Sequence, residues 1–136
     1  MAEVIKERKN KVEWQGERVE KRNVEESAIE YCERMYPNTT NEFKKIQEEM
    51  YETFCKKQRN YGPDNISVGS NLETDDEIKI SLTGLWFRMN DKIQRLKTLL
   101  MGNKESAVDE PLEDAYLDVS NYCIMATIVK NGKWGK

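Results

Sequence analysis

No histidine occurs anywhere in the 136 residues. That absence excludes Ser-His-Asp and Cys-His nucleophile pairs and most zinc sites. Hydrolytic chemistry in such a chain must come from carboxylates, with or without a hard metal ion, or from Lys or Tyr. Cysteine is scarce too. Cys32, Cys55 and Cys123 are too far apart for paired zinc ligands, and their odd number disfavours a disulfide framework. No run approaches about eighteen consecutive apolar residues, and the N-terminal MAEVIKERKNKVEWQGER has no apolar signal region. The expectation is a soluble protein of a reducing, cytoplasmic compartment, with no membrane partner.

What the chain does contain is charge. Charged residues make up 35% and apolar ones 38%, so a thin core or one completed by oligomerisation is expected. Lys and Arg number 22 against 25 Asp and Glu, a net charge of −3. That balance argues against bulk nucleic-acid binding but leaves room for a local basic pocket. The length suits one domain, able to bury roughly two-thirds of its unfolded surface without disulfides.

Apolar periodicity predicts an all-α fold, a small bundle of three long helices plus a short N-terminal helix. Residues 1–36 read as a charged arm with that short helix, and 37–136 as the helical domain. Asn23 with Glu26 fits an N-cap and its N3 partner, and Pro37 stops the short helix. Thr39 with Glu42 predicts the next start, and the stripe Phe43, Ile46, Met50 and Phe54 runs to about Arg59 before Tyr61-Gly62-Pro63. Residues 60–73 form the one long loop expected. Thr74 with Glu77 opens a helix carrying Leu82, Leu85, Met89, Ile93, Leu96 and Leu100, ended by Gly102-Asn103. IKISL at 78–82 alternates like a strand, but helical spacing continues unbroken past it. Gly84 inside this helix predicts a kink or close packing. The last helix is expected from near Asp109 to Lys130, with Pro111 in its first turn. Leu112, Tyr116, Val119, Cys123 and Ala126 form one apolar stripe of this helix, and Leu117, Ile124 and Ile128 another. Two such faces suggest a homodimer.

Four charged groupings stand out. Arg88, Asp91, Lys92 and Arg95 share an arc of roughly 100°, about 120° from the Leu/Ile/Met stripe. Cations so placed suit phosphate oxygens; a solvated face is the alternative. Glu110, Asp114 and Asp118 stack at i, i+4 and i+8, with Asn121 and Tyr122 continuing the stripe. Stacked like charges are unfavourable unless a cation such as Mg²⁺ lies opposite, although acids early in a helix also complement its dipole. Glu48, Glu49 and Glu52 lie near Lys45 and Lys56, so ordinary surface pairing also accounts for them. Lys56, Lys57 and Arg59 precede Tyr61-Gly62-Pro63-Asp64-Asn65, where Gly62 lets backbone approach a ligand and Tyr61 can stack on a base. A plain helix stop uses the same letters.

The order of these elements, YGPDN, then RxxDKxxRLxxLL, then ExxxDxxxDxxNY, resembles the family called nucleotide modification associated domain 1, found mainly in bacteriophages. The resemblance spans about residues 42–130. It departs at Asn60, where the family usually has Asp, and at Ala115, where Thr is common. It implies a protein of the phage-infected bacterial cytoplasm that binds or processes nucleotides, modified ones included. Arg88, Lys92, Arg95 and Lys57 would then meet the phosphates, with Tyr61, Gly62, Asp91, Asn121 and Tyr122 around the rest of the nucleotide. The arrangement is also similar to all-helical nucleoside triphosphate pyrophosphohydrolases. That likeness implies a Mg²⁺-dependent hydrolase with Glu49, Glu52, Asp114 and Asp118 as catalytic metal ligands. A non-catalytic nucleotide binder and a helical protein-interaction module are the competing expectations.

Overall fold

The computed structural model describes residues 25–102 and 111–136. Among them are five helices and no strand: α1 (Ala28–Met35), α2 (Pro37–Tyr61), α3 (Asp64–Ser67), α4 (Asp75–Met101) and α5 (Leu112–Lys130). The fold is all-α, as expected. The turn-rich stretch after Tyr61 is more ordered than a plain loop, because Pro63 starts the single turn of α3 there. IKISL is helical.

Local chemistry sets the helix ends, not always at the expected residue. The capping box of α1 is Ser27 with Glu30. The Ser27 hydroxyl accepts the Glu30 N–H at 3.1 Å, and the Glu30 carboxylate accepts the Ser27 N–H at 2.9 Å. The Asn23–Glu26 box is thereby corrected. Asn23 lies outside the described residues, and Glu26 instead accepts two bonds from Arg34 at 2.8 and 3.0 Å. That hydrogen bond and the Glu26 charge raise the Arg34 pKa. Helix α2 starts at Pro37 and not at Thr39. A first-turn residue has no intrahelical use for its N–H, so proline's lack of one costs nothing there.

The Thr74–Glu77 box opens α4 as expected, with 3.1 and 3.3 Å bonds. Gly84 needs no neighbour to come close: a Cβ built on it meets nothing within 4 Å. The expected close packing is therefore not there. Helix α5 begins at Leu112 behind Pro111; Asp109 and Glu110 fall outside the described residues. It stops where Gly132 turns left-handed, at φ 72°, and the Lys133 N–H reaches back to Ile128 O at 3.1 Å.

The chain divides into two compact units, one up to Gln47 and one from Glu48 onward. In the first, Lys44 and Glu33 form an ion pair at 2.6 Å. The second contains the core: Ile66, Leu85, Met125, Val129 and Trp134, with Phe54, Leu82, Met89 and Tyr122 packed against it. Helices α4 and α5 lie alongside each other, and α3 packs on α4.

Neither apolar stripe read on the last helix is the buried one. Its buried residues are Ala115, Met125 and Val129, while Tyr116 and Ile124 are exposed. Helix α4 is turned only in part, since Leu82 and Met89 of the expected face pack on the core. Ser81 and Leu85 are buried, and Ile93 and Leu100 are exposed. At about 100° per residue, Ser81 and Leu85 lie at the border of the apolar stripe and the basic arc. The Arg/Lys arc is therefore much nearer the packed face than a separation of about 120° implied. One contact accounts for the border facing inward: the Ser81 hydroxyl donates to Ile66 O at 2.7 Å inside the core. A larger apolar residue there would leave that buried carbonyl without its bond.

The C-terminus finishes the core. Trp134 is buried, its indole N–H donates to Pro63 O at 3.1 Å, and its ring meets Phe54 edge-on at 6.1 Å. Gly135, at φ 75°, lets the backbone pass over Pro63, whose Cβ would lie 3.2 Å from any added Cβ.

Two substitutions test this packing by urea denaturation. Gly84→Ala should raise stability by about 1 kcal/mol, because it supplies helix propensity in open space. Ser81→Ala should lower it by about 1–3 kcal/mol through the lost buried bond. A destabilised Gly84→Ala or a neutral Ser81→Ala would contradict the packing described.

Candidate functional site

The second unit contains a cavity of about 380 Å³ to which α2, α4 and α5 all contribute. Helix α2 supplies Lys57 and Tyr61, with Phe54 and Gln58 beside them. Helix α4 supplies Arg88. Helix α5 supplies Asp118, Asn121, Tyr122 and Met125, and α3 supplies Asn65 and Ile66.

An acid reaches this place because of the register of α5. At about 100° per residue, Asp118 falls inside the arc of Ala115, Met125 and Val129. Its side chain is only 19% exposed. A carboxylate in that position needs partners to offset lost hydration. It has two. Lys92 Nζ lies 3.1 Å from Oδ2, and Lys57 Nζ lies 3.6 Å from Oδ1. Lys92 can reach because it shares the inward arc of Ser81 and Leu85. One carboxylate thus bridges ammonium groups from α2 and α4.

Two further bonds fix the walls. Arg88 Nη2 donates to Asn65 O at 3.3 Å, tying the guanidinium to the turn of α3. Asn121 Nδ2 donates to Met50 O at 3.3 Å, tying α5 to α2. Gly62 stands just outside the lining. Its φ of 71° and its N–H to Gln58 O bond at 2.8 Å end α2, which aims Tyr61.

Other expected site residues lie elsewhere. Arg95 is half-buried and Asp91 exposed, and neither lines the cavity. Glu49 and Glu52 are exposed, and Glu52 pairs with Lys56 at 3.2 Å in ordinary i, i+4 fashion. Asp114 is half-buried, one turn before Asp118. Among the described residues no three Asp, Glu or Cys side chains gather so as to hold a metal ion. Glu49 and Glu52 are thus not gathered with Asp114 and Asp118, and Asp118 is engaged by two lysines.

The sequence reading missed Gln58 and Ile66 in the lining and Trp134 behind it. A tryptophan in the otherwise polar tail NGKWGK was the available signal for the last. Nothing local marked Ile66, since its part depends on where α3 docks.

A small cavity in an all-α unit thus brings together cations from two helices, a carboxylate, amides and two phenols. Residues 81–129 match the sequence model of the family nucleotide modification associated domain 1. The match includes Arg88, Lys92, Asp118, Asn121 and Tyr122. It is narrower than the resemblance over 42–130 and does not reach Lys57, Tyr61 or Gly62. No match is found among the curated proteins or the solved structures.

Asn121→Ala should lower stability by about 1 kcal/mol in urea denaturation, since it removes the Met50 bond. An unchanged midpoint would show that this bond does not hold α5 to α2.

Proposed function

We propose that the protein binds a nucleotide in this cavity, with Lys57 and Arg88 on the phosphate and Tyr61, Tyr122 and Asn121 on the base and sugar. The observation that carries this reading is the meeting of cations from α2 and α4 with two tyrosines in one cavity. The nucleotide-modification family matched over 81–129 supports the ligand class. A guanidinium presents paired donors to phosphate oxygens, phenol rings stack on bases of any kind, and amides bond base edges. A volume of 380 Å³ sits at the lower end of the roughly 300–1,000 Å³ range of small-ligand sites, which favours a single nucleotide over a polymer. In this reading Asp118 is a partner of lysines that organises the site.

Mg²⁺-dependent hydrolysis of a phosphate bond is the second reading. It is favoured by Asp114 lying one turn from Asp118 beside the cavity, and it requires Asp118 to leave its lysines. Among the described residues no helix is long and apolar enough to cross a membrane. Exposed Tyr116 and Ile124 on α5 support a dimer.

Calorimetry with canonical and base-modified nucleotides, in EDTA and then in Mg²⁺, tests the reading. Binding should persist in EDTA, and Arg88→Gln or Lys57→Gln should weaken it about tenfold, the loss of one charge-assisted bond. Absence of binding to every nucleotide would overturn it. Release of phosphate or pyrophosphate only with Mg²⁺, abolished by Asp114→Asn, would establish the second reading instead.

A further inference from the structure

Resting on the nucleotide reading, we infer that the site takes a single phosphate, as in a nucleoside monophosphate, and that Asp118 is the residue that sets this limit.

Three observations lead there. First, Lys57, Arg88 and Asp118 line the cavity and Lys92 lies 3.1 Å from Asp118, so the group carries a net charge of +2. A phosphate monoester carries about −1.5 to −2 at neutral pH, close to what two cations can neutralise. A triphosphate brings roughly twice that charge, and its surplus would lie against Asp118.

Second, Asp118 is fixed and cannot readily swing away. It sits on the packed seam of α5, 19% exposed, and each of its carboxylate oxygens faces a different lysine. Lys57, 56% exposed, is at once a ligand-facing cation and a partner of Asp118. Asp118 thus holds Lys57 in place and cancels part of its charge.

Third, the space is small and partly taken by apolar and aromatic wall. Phe54, Ile66 and Met125 line the cavity along with the two tyrosines, Lys57, Arg88 and Asp118. A base and sugar take up most of a space of about 380 Å³, which leaves room for about one phosphate group.

The inference assigns Asp118 to specificity and not to metal binding. Isothermal titration in EDTA with deoxynucleoside mono-, di- and triphosphates of each base tests it. The intact protein should bind monophosphates most tightly. Asp118→Asn, checked for folding by circular dichroism, should shift the triphosphate-to-monophosphate affinity ratio about tenfold toward the triphosphate, since one repelling charge is gone. A preference of the intact protein for triphosphates would overturn the inference and leave the nucleotide reading standing. A folded Asp118→Asn with an unchanged ratio would also overturn it. If Asp118→Asn does not fold, Lys92→Gln decides: with Asp118 less neutralised, the triphosphate-to-monophosphate affinity ratio should fall further, and an unchanged ratio would overturn the inference. Failure of all nucleotides to bind would instead overturn the proposed function itself.

Discussion

A carboxylate placed on the core-facing side of a helix must find positive charge, and in this protein that requirement organises the second unit. Asp118 lies in the arc that buries Ala115, Met125 and Val129. Its oxygens face Lys57 of α2 and Lys92 of α4. Ion pairs that are partly exposed contribute little net stability, because attraction barely exceeds lost hydration. Their value is in specifying arrangement. With Asp118 answered from both sides, α2 and α4 each bring a cation to the same point on α5, and the space left beside that point is the cavity.

The remaining walls are set by side-chain donors that reach backbone carbonyls. Pro63 O takes the Trp134 indole N–H, Ile66 O takes the Ser81 hydroxyl, and Asn65 O takes Arg88. All three acceptors lie in the short turn after α2. Helix α3, with its single turn, has little stability of its own. It is held by donors that come from α4 and from the C-terminal tail. A cavity wall made from a pinned turn can be shaped closely to its ligand, because the long helices fix its position.

The helices were legible in the sequence where local chemistry decides. Thr74 with Glu77 marked the start of α4, and Gly62 and Gly132 marked helix ends. What was not legible was rotation. Leu82, Leu85, Met89, Ile93, Leu96 and Leu100 define an apolar stripe, yet only Leu85 of it is fully buried, and Ser81 from beside the stripe is buried with it. A serine is invisible to a hydrophobic pattern, and its burial depends on a carbonyl from a segment fifteen residues away. That rotation brought Lys92 to the inward side, where Asp118 meets it. The stacked acids of α5 raised the right question, since a cation does lie opposite Asp118. The cations supplied by the fold are lysines, one on α2 and one within the motif Arg88-x-x-Asp91-Lys92-x-x-Arg95. Glu49 and Glu52 were placed in the site by analogy alone, and surface pairing with Lys56 accounts for the second of them.

The most direct measurement is a crystal structure of the protein grown with a deoxynucleoside monophosphate. The account predicts phosphate density within hydrogen-bond distance of Lys57 Nζ and the Arg88 guanidinium, with the base against Tyr61 or Tyr122 and Asp118 still on its lysines. A nucleotide bound on another face of the molecule, or through an ion held by Glu49 and Glu52, would contradict it.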